Sequence, residues 1–283
     1  YIFIFGKFGF PELGIVGAAV GTLASRVIMV FYLWYLLTQH EKTRAYFLDI
    51  NFSNFSKHMC TKLFNLGFPS AMQMFFEVAI FTSAIWLSGI LGKNPQAANQ
   101  IALNLSSMTF MVVMGLSVVA MIRVGNQMGL KKYQELRRIA FSIFMIATLF
   151  AIIFATLFLI FNNLLPTMYL DFDDPTKIID NHEVLSIAKN LLIIAAIFQI
   201  SDTIQVIALG ALRGMQDVKI PTLITFISYW VVGFPISYYL SLHTDYKSIG
   251  IWIGLLAGLS SSGLLLFIRF NYLSNKMILN KTD

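Results

Sequence analysis

Two acidic residues, Glu77 and Asp202, lie in the middle of long stretches of apolar residues. Placing a carboxylate at the centre of a bilayer costs at least ~2.5 kcal/mol, so an acid in such a stretch is a functional candidate. At ~1.5 Å of rise per residue, Glu77 would lie about 21 Å and Asp202 about 17 Å from the cytoplasmic ends of their helices. These similar depths allow the two acids to share one site.

Polar side chains accompany both acids at helical spacing. Gln73 precedes Glu77 by one turn, and Gln199 and Gln205 lie on either side of Asp202. A third apolar stretch adds polar residues that recur on one helical face: Gln100, Asn104 and Ser107. Carboxylate, amide and hydroxyl oxygens suit a hard cation such as Na⁺, and a carboxylate alone suits a proton. The pattern favours a Na⁺ or H⁺ site at Glu77 and Asp202; the alternative is that both acids only hydrogen-bond to neighbouring helices.

The elements that carry these residues are transmembrane helices. Hydrophobic residues make up 57% of the 283-residue chain and charged residues only 12%, whereas soluble domains carry roughly 25% charged residues. This composition excludes a soluble enzyme or nucleic-acid binder and predicts an all-α membrane protein. Seven stretches are long enough to span a bilayer: residues 13–37, 63–91, 97–124, 139–165, 185–212, 220–242 and 249–273.

Loop charges predict how these helices are oriented. The first, third and fifth connections and the tail hold 14 of the 20 Lys and Arg residues, and the alternate connections with Lys7 hold 5. Basic loops stay in the cytoplasm, so the N-terminus is expected outside and the tail inside. The net charge of +6 is then mainly a topology signal, and no nucleic-acid partner is expected. The sequence contains no HExxH, GxSxG or P-loop motif, so no enzyme is expected either.

Two segments of the chain resemble each other. Residues 13–25 (LGIVGAAVGTLAS) and 249–261 (IGIWIGLLAGLSS) share small residues at the start of spans that run in the same direction. If this is a repeat, the first span ends one repeat and the other six form a second, as in many transporters. The alternative is that small residues recur because they permit close helix packing. The chain begins with Tyr1, which suggests a piece of a longer polypeptide.

Four motifs resemble the multidrug and toxic compound extrusion (MATE) family of transporters, in its bacterial NorM-type branch. Residues 66–77 (LGFPSAMQMFFE) resemble the opening of that family's seventh helix, and residues 99–107 (NQIALNLSS) resemble its eighth. Residues 122–129 (IRVGNQMG) resemble the loop that follows, and 199–217 resemble the tenth helix with its cytoplasmic exit. The resemblance extends over nearly the whole chain, and the motifs occur in the family's order.

The resemblance implies a twelve-helix antiporter with two six-helix lobes, monomeric at full length, in the inner membrane. Residues 1–37 would be the last helix of the first lobe, 38–62 the cytoplasmic linker, 63–273 the second lobe and 274–283 the tail. It also implies export of cationic drugs or dyes in exchange for Na⁺ or H⁺, without a cofactor. Glu77 and Asp202 match the two acids of the family's second-lobe cation site. Phe198 stands where some members carry Tyr, which leaves the local coordination open.

Two other functions fit parts of the pattern. A lipid-linked oligosaccharide flippase of the same superfamily would be expected to line its cavity with basic residues, but only Arg26 lies deep in a span. A seven-helix receptor matches the span count and the external N-terminus. Receptors do not need two mid-membrane acids, and their usual outer disulfide is impossible within a chain whose only cysteine is Cys60.

Overall fold

The computed structural model describes residues 2–6, 9, 11–39, 56–170 and 178–280. Within these residues the regular elements are all helical, and seven helices are long and apolar enough to cross a membrane. The predicted all-α membrane fold with seven spans is therefore confirmed. Most of the predicted linker (residues 40–55), residues 171–177 of the acidic fourth connection and residues 281–283 of the predicted tail lie outside the described residues.

The chain divides into two compact units, Tyr1–Cys60 and Thr61–Asp283. The first contains a short helix, α1 (Ile2–Phe5), and the first span, α2 (Gly14–Gln39). The two helices meet where the Leu13 backbone N–H donates to the Phe3 carbonyl at 3.1 Å. Gly17 permits this contact, because a Cβ atom there would collide with the same carbonyl. A close backbone approach thus fixes the entry into the first span.

The remaining helices belong to the second unit. The exception is the first turn of the first of them, residues 57–60, which belongs to the first unit. These helices are α3 (Lys57–Leu91), α4 (Lys93–Gly129), α5 (Tyr133–Ile160), α6 (Leu164–Thr167), α7 (Ile178–Gly214), α8 (Lys219–Phe226), a π-helical segment (Ile227–Gly233), α9 (Phe234–Leu242) and α10 (Lys247–Leu279).

Most of these helices are longer than the apolar stretches that predicted them. The helix α4 extends beyond 97–124 at both ends, and α10 continues past residue 273 into the predicted tail. Polar residues at a membrane surface can continue the backbone hydrogen bonding of a helix, so hydropathy detects only its apolar part. The fourth span is also displaced from the predicted 139–165: α5 ends at Ile160, and Leu165 lies in the separate helix α6.

The sixth span, predicted as one stretch over 220–242, is interrupted at its centre by the π-helical segment. Pro235 follows this segment in the first turn of α9. Proline has no N–H to donate to the carbonyl four residues earlier, which here belongs to Val231 inside the segment. Such π-helical turns redirect side chains relative to a regular helix, and they occur frequently at functional sites.

The helix α7 lies at the centre of the second unit and packs against α4, α5 and α10. The buried apolar residues form two clusters along it. One cluster contains Leu191 and Phe198 of α7, and the other contains Val206 and Leu212. The polar residues near Asp202 lie between these two clusters, and the apolar core therefore surrounds one polar layer.

Small residues let the π-helical segment, α9 and α10 approach one another closely. A Cβ atom on Gly258 would lie 3.1 Å from the Cα of Gly233, and one on Gly254 would collide with Ser237. The Ser237 hydroxyl donates across this interface to the Ile251 carbonyl at 2.9 Å. In a membrane, such close packing and interhelical hydrogen bonds replace the hydrophobic effect as the force that joins helices. The interface therefore holds the π-helical segment in place.

Replacing Trp252 with Phe is expected to destabilise the second unit. Trp252 is fully buried in α10, and its indole N–H donates to Asn99 Oδ1 of α4 at 2.9 Å. Phe would leave that oxygen buried without its donor, which costs about 1–3 kcal/mol. Thermal unfolding in detergent measures the effect, with Trp86→Phe on the exposed face of α3 as the matched control. Equal unfolding midpoints for the two variants would contradict a role for this hydrogen bond.

Candidate cation-binding site

A cavity of about 400 Å³ lies between α3, α4 and α7. Glu77 lines it from α3, and Asp202 lines it from α7. The structure therefore brings together the two acids that the sequence placed at similar depths. Four further residues singled out in the sequence also line the cavity: Gln100, Asn104, Ser107 and Phe198. Three glutamines singled out in the sequence do not line the cavity, and each has a different environment: Gln73, Gln199 and Gln205.

The central helix α7 presents one face to the cavity. Asp202, Val206, Leu209 and Arg213 all line it, and their spacing of i, i+4, i+7 and i+11 is that of one side of an α-helix. Arg213 is one of the basic residues counted above in the fifth connection, where it indicated orientation and no place on this face was predicted. The helical spacing from Asp202 was the signal that could have identified it.

Arg213 links the two sides of the cavity. Its Nη2 donates to Gln73 Oε1 on α3 at 3.0 Å, and its guanidinium is close enough to Glu77 for a Coulombic interaction. Gln73 therefore contacts the site through Arg213 and does not face the cavity itself. Because Arg213 offers Glu77 a positive charge, occupancy of the cavity by another cation would change this pairing.

The polar face of α4 is partly engaged in other hydrogen bonds. Asn104 Oδ1 accepts from the Tyr169 hydroxyl at 3.0 Å, and the Ser107 hydroxyl donates to the Asn104 carbonyl at 2.7 Å. Ser106 also lines the cavity, and its buried hydroxyl has no hydrogen-bond partner among the described residues. The amide and hydroxyl oxygens of α4 thus supply polar contacts opposite the two acids.

A second polar group, formed by Gln205 and Tyr229, lies near Asp202 and does not line the cavity. Gln205 is fully buried, and its Nε2 donates to the hydroxyl of Tyr229 in the π-helical segment. Tyr229 is close enough to Asp202 and Glu77 to interact electrostatically with both. Gln199 is buried with both amide atoms unpaired among the described residues. Tyr229 was not predicted from the sequence, because its position depends on a helix irregularity that the apolar pattern of the sixth span does not reveal.

The cavity combines charge with a largely apolar wall. Two carboxylates and one guanidinium face it, so its side chains carry a net negative charge when all are ionised. Two carboxylates in a low-dielectric space repel each other, and a bound cation or proton relieves that repulsion. Most of the wall consists of apolar and aromatic side chains that can pack against an organic molecule: Met74, Val78, Phe81, Ile85, Leu103, Phe110 and Met114.

Comparisons with known proteins identify relatives of this chain. The MatE family model matches residues 69–239. The chain is 35% identical over 277 residues to multidrug resistance protein MdtK of Photorhabdus laumondii, covering 96% of this chain and 58% of that protein. It is 38% identical over 279 residues to multidrug resistance protein NorM of Vibrio vulnificus, covering 96% and 59%. This chain thus spans less than two thirds of the length of the relatives it matches.

Solved structures share the fold. The crystal structure of a MATE protein in the bent conformation has a TM-score of 0.80 at 18% identity, over 100% of this chain and 59% of that one. The eukaryotic MATE transporter AtDTX14 has a TM-score of 0.77 at 23% identity, over 98% and 60%. At these identities the likeness supports the helical arrangement alone.

Proposed function

This chain belongs to the MatE family, and from that premise we propose that it is the larger part of a secondary antiporter that exports cationic drugs or other toxic organic compounds in exchange for Na⁺ or H⁺. Members of the family are transporters and not enzymes, and the relatives named above are multidrug resistance proteins. Since the chain spans 58–59% of their length, this activity is a proposal for the full-length transporter. A receptor function does not agree with this family membership.

One observation carries the proposal: acids from two different spans face one largely apolar cavity. A cation bound between Glu77 and Asp202 would reduce the repulsion between them and draw α3 and α7 together. When the cation leaves, the repulsion between the two carboxylates returns and favours an arrangement in which α3 and α7 lie farther apart. A transporter that binds ion and drug in different arrangements can exchange one for the other, because each ligand shifts the balance between the two states.

The charges of the cavity favour a cationic substrate over an anionic one. Glu77 and Asp202 outnumber the single guanidinium of Arg213, whereas a site for a lipid-linked pyrophosphate needs an excess of basic groups. The apolar and aromatic wall offers contact area without demanding one shape. This combination supports organic cations as the substrate class, and it argues against the flippase alternative.

The proposed organisation follows from the same premise. Residues 1–37 would complete the first lobe, 38–62 would link the lobes, 63–273 would form the second lobe, and 274–283 would be the tail. The helix α3 begins at Lys57 and α10 ends at Leu279, so part of the proposed linker and most of the tail are helical. The seven apolar helices indicate a multi-pass membrane protein. We expect it in the inner membrane as a monomer, with its tail in the cytoplasm.

Efflux from vesicles that contain the full-length parent tests this proposal. Ethidium is equilibrated at equal concentrations inside and outside, and an inward Na⁺ gradient or an inward proton gradient is then imposed separately, so that net efflux is uphill. Efflux is expected with at least one gradient and none after both are collapsed, because a secondary antiporter has no other energy source. The gradient that restores efflux identifies the coupling ion. Efflux that persists without either gradient, or that needs ATP, would contradict the proposal.

A further inference from the structure

We propose that a groove between α5, α7 and α10 binds an anionic phospholipid, with the lipid phosphate at Arg137 and an acyl chain inside the groove. The groove has a volume of about 790 Å³. It belongs to a different face of α7 from the cavity with the two acids, because Ser201 lines the groove and Asp202 lines that cavity. The inference therefore goes beyond the proposed transport and does not depend on it.

The wall of the groove is mainly apolar. Aromatic and aliphatic side chains of α5 and α10 form most of it: Phe141, Phe144, Met145, Leu149, Leu264 and Phe267. The ring of Phe267 lies edge-on to the rings of Phe141 and Phe144, with centroids 6.0 and 5.3 Å apart. Ser201 and Ser260 also line the groove, and their hydroxyls share a hydrogen bond of 2.9 Å. Since these two hydroxyls satisfy each other, an acyl chain can contact this wall without leaving them unpaired.

The groove is about as long as one leaflet of a bilayer is deep. It extends along α5 from Phe141 to Ile152, and this separation corresponds to a rise of ~16 Å along a helix. The hydrocarbon core of a bilayer is ~30 Å thick, so one leaflet contributes about 15 Å. Phe141 lies close to the start of the apolar stretch at residue 139. A chain that enters the groove at Phe141 would therefore run from the membrane surface to about the bilayer centre.

Arg137 lies at the end of the groove that the loop charges predict to be cytoplasmic. It precedes Phe141 by one turn of α5, and its guanidinium carbon is 5.3 Å from the centroid of the Phe141 ring. Its Nη2 donates to Asn271 Oδ1 of α10 at 3.3 Å. Asn271 follows Phe267, another wall residue, by one turn. The two helices that form the groove are thus joined at its end by a cationic side chain.

The charge of Arg137 is available to an anion. Among the described residues no carboxylate forms an ion pair with it, whereas Arg269 of α10 pairs with Asp217 at 3.0 Å. A guanidinium has five N–H donors, and Asn271 accepts from one of them. The others can bind phosphate oxygens in the bidentate geometry that arginine favours.

Charge and depth together select a lipid as the occupant. Anionic lipids give the cytoplasmic leaflet a negative surface potential, and basic pockets between membrane helices bind their headgroups. A phospholipid supplies both a phosphate at the membrane surface and a chain that reaches about the bilayer centre. The exposed side chains of Met145 and Leu149 at the rim of the groove would then contact the lipid directly.

Native mass spectrometry of the full-length parent in a neutral detergent tests the inference, because a titration with phosphatidylglycerol counts the bound lipids. Arg137→Gln removes the charge and keeps an amide that can donate to Asn271. Its affinity for phosphatidylglycerol is expected to fall roughly tenfold, since hydrogen bonds to a charged group are lost. Arg123→Gln is the matched control, because Arg123 is an exposed residue of α4 that does not line the groove. This control should bind the lipid like the wild type.

A second pair of variants tests the position of the acyl chain. Leu264→Trp places a larger side chain in the groove and is expected to weaken phosphatidylglycerol binding several-fold. Leu265→Trp is the matched control, because Leu265 is exposed on α10 and does not line the groove. Circular dichroism checks that each variant is folded before its lipid affinity is compared with that of the wild type.

The outcomes that would overturn the inference are distinct. Wild-type lipid affinity in folded Arg137→Gln would remove the phosphate from Arg137. Wild-type affinity in Leu264→Trp would remove the chain from the groove, as expected if the first lobe or a second copy of the protein covers it. Equal affinity for zwitterionic phosphatidylcholine, or competition by inorganic phosphate at the same concentration as the lipid, would also overturn it. A parent that exports no ethidium would contradict the proposed function and leave this inference standing.

Discussion

Ion-driven ethidium efflux by the full-length parent is expected to fall at least about tenfold when Glu77 is replaced by Gln or Asp202 by Asn, a loss of ~1.4 kcal/mol or more in coupling. Both changes keep the size and the hydrogen-bonding shape of the side chain and remove its charge. The cavity between α3, α4 and α7 would then hold one carboxylate instead of two. A cation bound there would lose its attraction to one of the two carboxylates.

The larger effect is expected at Asp202. Its side chain is 6% exposed and its Oδ1 is unpaired among the described residues, whereas Glu77 is half-buried and interacts with Arg213. A deeper carboxylate is screened less by water, so its charge contributes more to cation binding. Initial rates of ethidium efflux at a fixed ion gradient measure both variants.

Glu135→Gln provides the matched control for Glu77→Gln. Glu135 lies exposed in the first turn of α5, so the same chemical change occurs away from the cavity. This variant is expected to transport at the wild-type rate. Wild-type efflux in both Glu77→Gln and Asp202→Asn would remove the two acids from the mechanism. The proposed coupling would then need a different site.

Replacing Gly210 with Val is expected to cause the largest loss of stability. Gly210 lies on α7 against Ser117 of α4, and a Cβ atom there would collide with the carbonyl and hydroxyl oxygens of Ser117. The same serine donates to the Val206 carbonyl at 2.7 Å and thereby joins the two helices. Overpacking a tight interface typically costs about 1–3 kcal/mol and occasionally more, and the clash here involves backbone as well as side chain. Val would therefore separate the two helices on which most of the second unit is built.

The yield of folded protein and its thermal unfolding midpoint in detergent measure this effect. Gly115→Val on α4 is the matched control, because a Cβ atom at Gly115 would meet no other atom within 4 Å. Val at Gly115 is expected to leave the midpoint nearly unchanged. If Gly210→Val unfolded at the same temperature as Gly115→Val, close packing of α4 and α7 would not be a source of stability.

Several features of the site were readable from the residues. An acid inside an apolar stretch is costly wherever that stretch folds, so Glu77 and Asp202 stood out without knowledge of their neighbours. The polar face of α4 was also visible, because Gln100 and Asn104 follow the helical period. The role of Gln73 was not, since it depends on the Arg213 side chain of a distant helix.

Helix ends and irregularities were harder to predict. Hydropathy marks where apolar residues begin and end, but α4 and α10 continue through polar residues beyond both ends of their apolar stretches. The π-helical segment carries the same apolar composition as a regular span. Its position depends on Pro235 nearby and on the contact between Gly233 and Gly258, which joins residues far apart in the chain.

By itself, the sequence predicted which segments are long and apolar enough to cross a membrane and which two acids lie in the middle of such segments. These are local properties, because the transfer of a segment into lipid depends mainly on its own residues. Only the tertiary structure decided that Glu77, Asp202 and Arg213 line one cavity and that Tyr229 lies near the two acids. These facts depend on which helical faces meet, and that is set by close packing at residues such as Gly210 and Gly254.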